Sequence, residues 1–294
     1  EEGIGHPILM GDEDVIEDLK VQIEFDEKVP VIDPKSSDQH INREVYGKKY
    51  WELRRRKGVT LFEAINKMKQ RNTYAAMMLY CNDADALISG YSRSYPEVIK
   101  PVLKIIGKEN GVRKVAATNL MITSKGPIFL SDTSINIDPK FNELAHIAKM
   151  TAYTAEIFGF SPVIAMLSFS NFGSVVHDSV EKVSNAVKLL NRCFPDLAVD
   201  GPLQSDFALN KLMLKNKFEF SKLSGQKVNV LIFPNLDSAN ITYKVIKELD
   251  GAQSIGPILM GVEKPAHILQ LKASVEEIVN MSAIAVVDAQ NRKL

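Results

Sequence analysis

The chain has 294 residues, of which 45% are hydrophobic and 24% are charged, proportions typical of a globular protein with a substantial core. Lysine plus arginine and aspartate plus glutamate number 36 each, so the formal net charge is zero. A zero net charge gives no overall attraction for nucleic acid or an anionic membrane, and no apolar run reaches the roughly twenty residues that span a bilayer. We therefore predict a cytoplasmic protein with no nucleic-acid partner and no membrane partner.

The residues that most often bind metals are dispersed. Cys81 and Cys193 lie far apart in the sequence and lack metal-site spacing, which predicts reduced thiols. The five histidines occur singly, without the i, i+4 pairing typical of zinc ligands. No Gly-x-Gly-x-x-Gly turn indicates a dinucleotide site. The sequence thus predicts no metal site and no cofactor bound by this chain.

The first third of the chain alternates helix and strand signals. An apolar segment between turn residues, Gly3 to Gly11, predicts a short strand, and its Pro-Ile-Leu-Met-Gly run returns within 254–261. Two copies suggest equivalent strands in two related sheets. The chain also begins without Met and enters this segment at once, which suggests a fragment. The next predicted elements are a helix that ends at Gly58, a helix from Thr60 to Cys81, a turn, short buried strand and Gly-ended loop within 83–90, a helix over 96–106 and a domain crossover at 107–111.

The alternation continues to the C-terminus and predicts an α/β protein. The predicted elements are a hairpin over 115–123 and 127–130, a long helix that follows Asp138-Pro139 and runs through Phe158, helices over 178–193 and 206–215, strands over 163–167, 197–199 and 228–234, a turn at 200–202 and a polar loop over 235–240. The loop Ser168–Ser174 follows a strand and is rich in hydroxyl groups. Such a loop can direct backbone amides and hydroxyls at an anion.

The stretch from Lys264 to Val279 contains residues that decide whether the chain catalyses a reaction or only binds a ligand. Pro265 disfavours helix at the residue before it, and Ser274 with Glu277 three residues later forms a capping box that begins a helix. We therefore predict a loop that delivers its side chains to the start of a C-terminal helix. From the sequence alone, Glu277 is either a helix cap or a functional carboxylate.

Several segments together resemble phosphate acetyltransferases. They are Asp85–Gly90, Ala165–Ser168, Asp200–Gln204, Phe233–Asn235 and Gly256–Gly261. Ser168–Ser174 and Lys264–Leu269 resemble more narrowly the phosphotransacetylase-like C-terminal domain of bacterial NADP-dependent malic enzymes. The resemblance implies two α/β domains with a cleft between them, in an isocitrate/isopropylmalate dehydrogenase-like fold. It also implies a discontinuous first domain of residues 1–108 plus 266–294, a second domain of 109–265, and a homodimer or higher homo-oligomer.

The resemblance assigns ligand-binding roles to cations of the first domain. In phosphate acetyltransferases a carboxylate deprotonates the thiol of coenzyme A, and arginines and a serine hold phosphate and developing charge. One family arginine aligns with Arg54, which keeps its type, and a second aligns with Lys100, which keeps the charge but not the bidentate fork. Phosphate binding is therefore expected to be weaker than in the family.

The segment that is catalytic in active enzymes departs further. Their Leu-Ser-Arg-Gly is replaced here by Leu269-Gln270-Leu271-Lys272, so the hydroxyl and the guanidinium are both absent, although Lys272 carries a positive charge one position away. The family's base aligns with Glu277, the weak catalytic candidate. His267 in the same stretch is expected to donate to a ligand phosphate or to a nearby carbonyl. The remaining candidate ligand residues are Gln270, Lys272, Ser168, Ser170, Asn171, Gly173 and Ser174.

Three functions remain open at this point. The first is a regulatory and oligomerising module that senses acetyl-CoA or coenzyme A for a malic enzyme. In that enzyme an N-terminal domain of the same chain, absent here, would use NADP and a divalent metal for the oxidative decarboxylation of malate to pyruvate. The second is an active phosphate acetyltransferase, which converts acetyl-CoA and phosphate to acetyl phosphate and coenzyme A. The third is a purely structural dimerisation module.

Overall fold

The computed structural model describes residues 2–292 of the chain. It divides into two compact units, one of Glu1–Glu109 with Val262–Leu294 and one of Asn110–Gly261. We call them unit 1 and unit 2. The sequence-based division put the two crossings at 108/109 and 265/266. The cleft and the dehydrogenase-like arrangement stay predictions.

Unit 1 is mostly helical, with short parallel strand pairs. Its elements are β1 (Leu9–Met10), α1 (Glu13–Gln22), β2 (Val31–Ile32), α2 (His40–Arg54), α3 (Leu61–Lys67), α4 (Arg71–Tyr80), β3 (Leu87–Tyr91), α5 (Tyr95–Ile105), β10 (Ala266–Leu271) and α11 (Val275–Arg292). β1 pairs with β2, and β10 pairs with β3. α4, α5 and α11 pack against the β3/β10 pair, with buried side chains such as Met77, Val102 and Ile268.

Unit 2 is built on a six-stranded mixed sheet with the order β7-β6-β8-β5-β4-β9. Its elements are β4 (Ala116–Thr123), β5 (Gly126–Ser131), α6 (Phe141–Ile157), β6 (Val163–Leu167), α7 (Asp178–Cys193), β7 (Ala198–Leu203), α8 (Ser205–Leu209), α9 (Lys211–Lys217), β8 (Val230–Ile232), α10 (Leu236–Asp250) and β9 (Gln253–Met260). The strands β5 to β8 are parallel where they pair, and β4 runs antiparallel to both of its neighbours. The predicted α/β class is confirmed.

Two long predicted helices are each divided in the structure. The helix expected from Thr60 to Cys81 is interrupted between α3 and α4, where Met68, Lys69 and Gln70 each donate to the carbonyl three residues back. Met68 is fully buried at this break, so the chain changes direction without losing its core contact. The helix expected over 206–215 is interrupted at Asn210, whose side chain accepts from Met213 N and caps α9. Apolar periodicity detects the buried face but not such a change of direction.

The repeated Pro-Ile-Leu-Met segments are not equivalent strands, and that prediction was wrong. β1 contains only Leu9 and Met10 and is parallel to β2. β9 is eight residues long and pairs antiparallel with β4. The same residue types therefore pair in parallel in one copy and antiparallel in the other, because the partner strand differs. The predicted turn at 200–202 is also wrong, since β7 continues through it to Leu203.

The loop predicted within Lys264–Val279 is a strand over most of its length. Ala266–Leu271 forms β10, whose first four residues are fully buried and which pairs with β3. Pro265 precedes the strand and excludes helix, which is the part of the argument that was correct. The capping box is confirmed, because Ser274 N donates to Glu277 Oε2 at 2.8 Å and Glu277 N donates to Ser274 Oγ at 3.1 Å.

Candidate functional site

The carboxyl ends of β3 and β10 meet at one edge of unit 1. The strands are parallel, Leu271 is opposite Tyr91, and Lys272 N donates to Tyr91 O at 3.0 Å just beyond them. Gly90 makes this approach possible. Its φ is +138°, and a Cβ there would collide with Leu269 O and lie 2.9 Å from Leu269 N. In open α/β sheets this edge is where ligands bind. We call it the β3/β10 edge.

Two helices begin at the β3/β10 edge. α5 starts directly after β3 with a capping box between Ser94 and Glu97, and α11 starts directly after β10 with the box between Ser274 and Glu277. The amino end of a helix carries partial positive charge and favours anions. The Glu277 carboxylate is already an acceptor for a backbone amide there, so it acts at least as a cap.

The edge also carries predicted ligand residues. Lys272 lies in the turn between β10 and α11 with a φ of +59°, and its side chain is exposed. Gln270 is partly buried near the end of β10, and Lys100 is exposed on α5. Within residues 2–292, the ammonium groups of Lys272 and Lys100 form no hydrogen bond or ion pair. Both cations are thus available to an anion.

Arg54 is not joined to this edge by a described contact. It is the last residue of α2, and its Nε is buried without a partner among the described residues. The contacts of α2 include Tyr46 Oη to Asp83 Oδ2 at 2.7 Å and Lys49 Nζ to Cys81 Sγ at 3.4 Å. These partners precede β3 and so lie toward the amino end of that strand.

His267 is an interior residue of unit 1. It is 1% exposed, and its Nε2 lies 3.3 Å from Asp288 Oδ2 on α11. Burial raises the pKa of Asp288, but the adjacent His267 ring, the hydrogen bonds from Arg292 and the Arg292 charge outweigh it, so the pKa is lowered overall. His267 thus lies beside a buried carboxylate, and its donation to a ligand phosphate or to a nearby carbonyl stays a prediction.

The loop Ser168–Ser174 lies after β6 in unit 2 and is braced by its own polar groups. Ser170 is 2% exposed, and its Oγ accepts from Val175 N at 3.1 Å and lies 2.9 Å from Ser174 Oγ. Asn171 Nδ2 donates to Gln204 Oε1 at 2.7 Å, and Gln204 N donates to Asn171 Oδ1 at 2.8 Å. The side chains of Ser170 and Asn171 therefore stabilise the loop, while Gly173 and Ser174 are exposed and Ser168 is partly exposed.

Sequence reasoning missed Phe172 in this loop. Its φ is +48°, a left-handed conformation that a bulky residue rarely adopts. Its ring packs edge-on against Phe218 and Phe220 with centroids 4.9 and 4.8 Å apart, and its amide donates to Pro202 O at 2.7 Å. The six phenylalanines from Phe169 to Phe220 were the available signal, but their spacing in the sequence does not show which of them meet.

Comparison with known proteins decides the family. Residues 1–286 match the profile of the phosphate acetyl/butaryl transferase family. The chain belongs to this family. A phosphate acetyltransferase of Clostridium acetobutylicum is 36% identical over 98% of this chain and 88% of its own length. An NADP-dependent malic enzyme of Haemophilus influenzae is 36% identical over 98% of this chain and 38% of its own length.

A solved structure shares the fold of this phosphate acetyl/butaryl transferase family member. It is a phosphotransacetylase from Streptococcus pyogenes, with a TM-score of 0.89 and 33% identity over 97% of this chain and 86% of that chain. The resemblance to phosphate acetyltransferases is therefore confirmed. Both transferases and malic enzymes are relatives, so membership of the family leaves the malic enzyme context a prediction.

The described part of this transferase-family chain has three further properties. In residues 2–292, no group of three or more His, Cys, Asp or Glu side chains is placed to hold a metal ion. No helix in that range is long and apolar enough to cross a membrane. Cys81 and Cys193 are both free thiols.

Proposed function

We propose that the chain transfers an acetyl group between coenzyme A and phosphate at the β3/β10 edge. The observation that carries the proposal is this edge itself, where two helix amino ends and the unpaired cation of Lys272 come together in a member of a phosphate acyltransferase family. The similarity to a transferase over 88% of that protein's length supports it. Substrate phosphates need positive charge, and the edge supplies it.

The proposed reaction assigns a role to each group. In the direction of acetyl-CoA synthesis, the thiol of coenzyme A loses its proton to Glu277, and the thiolate attacks the carbonyl carbon of acetyl phosphate. The carbon–sulfur bond forms, the carbon–oxygen bond to phosphate breaks, and phosphate leaves with the electron pair. Lys272 and the amino end of α11 would stabilise the charge on that phosphate. Lys100 would bind an anionic part of either substrate.

The residues of β10 predict slow turnover. Gln270 and Leu271 stand where active enzymes carry a serine hydroxyl and a guanidinium. Removing one preorganised donor to a developing charge lowers a rate by about a hundred- to a thousandfold. Lys272 is a flexible point charge and replaces a planar fork incompletely. Measurable but weak transfer is the expectation.

A second candidate function follows from the same segment. The Gln270-Leu271 pair lacks the chemistry for transfer yet leaves a cationic edge, which suits binding without turnover. The chain would then be an acetyl-CoA-sensing module of a malic enzyme, and NADP and a divalent metal would belong to the remainder of that enzyme. The similarity to a malic enzyme over 38% of its length favours this alternative.

Calorimetric titration combined with a thiol-release assay separates the candidates. Acetyl-CoA, coenzyme A and acetyl phosphate are titrated into the chain, and transfer is measured on the same sample. Lys272→Ala is compared with Lys104→Ala, which removes an exposed cation near the far end of α5. Turnover that Lys272→Ala abolishes and Lys104→Ala preserves supports the transferase. Saturable binding without turnover favours the sensor. If neither binding nor turnover is observed, both candidate functions are contradicted.

A further inference from the structure

Arg292 near the end of α11 connects several parts of unit 1. Its Nη1 donates to Val262 O at 2.8 Å and to Glu263 O at 3.1 Å, and it lies 2.9 Å from Glu109 Oε1. Its Nε donates to Asp288 Oδ1 at 2.7 Å on the preceding turn. One guanidinium therefore holds two carbonyls and two carboxylates, which its planar set of five N–H donors permits.

Three of these partners mark the places where the chain leaves and re-enters unit 1. Glu109 is the last residue of the first segment, and Val262 is the first residue of the second. The two segments are paired next to Arg292, with an antiparallel bridge between Lys108 and Val262 and a bond from Glu263 N to Gly107 O at 3.4 Å. We call residues 107–109 and 262–263 the crossing segments.

The other side of Arg292 leads inward to the strand of the proposed site. Asp288 joins Arg292 to His267, which lies on β10 three residues before Gln270. The exposed fraction of the side chains rises along this line, from 0% for His267 to 12% for Asp288, 24% for Arg292 and 38% for Glu109. A continuous line of polar side chains thus runs from the interior face of β10 to the crossing segments.

We propose that Arg292 is a positioning residue, a clasp that fixes both crossing segments to β10 and couples ligand binding at the β3/β10 edge to them. The clasp rests on contacts alone, whereas the coupling rests on the proposed function. Ligand that orders the end of β10 would restrict His267 and Asp288, and Arg292 would pass that restriction to Val262 and Glu263. A lysine at this position keeps the charge but cannot bind all four partners.

Hydrogen exchange measured by mass spectrometry tests the clasp without ligand. Arg292→Lys removes the fork, and Glu109→Gln is a milder change that removes charge from one crossing segment and leaves Asp288 and His267 in place. Asp138→Asn is the matched control, because it breaks an exposed ion pair with Lys182 in unit 2. We expect amides of the crossing segments to exchange at least about tenfold faster in Arg292→Lys, about threefold faster in Glu109→Gln and unchanged in the control.

Rates in both variants within twofold of the wild type would overturn the clasp. The same experiment with saturating acetyl-CoA tests the coupling. Wild-type crossing segments should become more protected, and Arg292→Lys should lose that response while it still binds acetyl-CoA in calorimetry. A response that survives in Arg292→Lys refutes the coupling. If the wild type binds no acetyl-CoA, the proposed function and the coupling fail together, and the exchange rates without ligand still decide the clasp.

Discussion

Gly90→Ala tests whether the close approach of β3 and β10 shapes the candidate site. The φ of Gly90 is +138°, outside the regions that an L residue occupies, so alanine there is strained by about 2 kcal/mol. Its Cβ would also collide with Leu269 O and lie 3.0 Å from Leu269 C, both backbone atoms. Moving a packed strand adds about 2 kcal/mol. We therefore expect the free energy of unfolding of unit 1 to fall by about 4 kcal/mol.

Gly58→Ala is the control for backbone strain alone. Gly58 ends the segment after α2 with a φ of +82°, and no atom lies within 4 Å of a Cβ built there. Alanine at this position is destabilising only through the left-handed backbone conformation, by about 1 kcal/mol. Both glycines lie in unit 1. The difference between the two variants, about 3 kcal/mol, therefore consists of about 2 kcal/mol from the contact between the strands and about 1 kcal/mol from the greater backbone strain at Gly90.

Urea unfolding followed by tryptophan fluorescence measures this difference. Trp51 is the only tryptophan of the chain and lies on α2 in unit 1, so its emission reports on that unit. The linear dependence of the unfolding free energy on urea concentration gives the loss for each variant. If Gly90→Ala loses no more stability than Gly58→Ala, the strands can separate without penalty, and the description of the β3/β10 edge is refuted.

Three further predictions concern single groups. Ser274→Ala should lower the free energy of unfolding by about 1 kcal/mol, because it removes the helix cap. Glu277→Gln keeps an oxygen acceptor and should lower it by less than half as much. Urea unfolding followed by Trp51 fluorescence checks both variants. The pKa of Asp288 is lowered in the folded protein by His267 and Arg292 despite burial. The stability that this carboxylate contributes is therefore fully present above the unfolded pKa of about 4, and it is lost as the pH falls through the lower folded pKa. Unfolding measured from pH 6 to pH 2 should therefore show a loss below about pH 4 that Asp288→Asn lacks. Asn171→Ala and Gln204→Ala should each lower stability by about 1–2 kcal/mol but combine to less than their sum in a double-mutant cycle, because both changes remove the bond from Asn171 Nδ2 to Gln204 Oε1.

The sequence predicted those features that depend on neighbours along the chain. The capping box of Ser274 and Glu277, the end of the α2 segment at Gly58 and the α/β alternation are all local patterns, and the structure contains them. Alignment with a known family then placed Lys272 and Gln270 on one segment. A local pattern is sufficient in these cases because the interacting atoms are only a few residues apart.

The features that sequence reasoning missed depend on residues distant in the chain. β10 was expected as a loop because Pro265 and the capping box limit helix but say nothing about pairing with β3. His267 has Asp288 as a partner, on a later helix, so its isolation in the sequence was misleading. Ser170 and Asn171 are used inside the loop, and the bond to Gln204 crosses from another strand end. Residue type alone could not distinguish a ligand group from a brace.

The insertion of unit 2 between two parts of unit 1 constrains the order in which the molecule folds. Among the described residues β3 pairs with β10 alone, and about 175 residues separate the two strands, of which all but about 20 lie in unit 2 or its boundary. If unit 2 folds first, its two ends are brought together and the effective loop between β3 and β10 shrinks by almost tenfold. The entropic cost of pairing the two strands then falls by about 2 kcal/mol. On the ribosome β3 must wait, unpaired, until unit 2 and β10 have been synthesised. The β3/β10 edge should thus be the last part of the molecule to form, and a truncated nascent chain should lack it while its sheet in unit 2 is already complete.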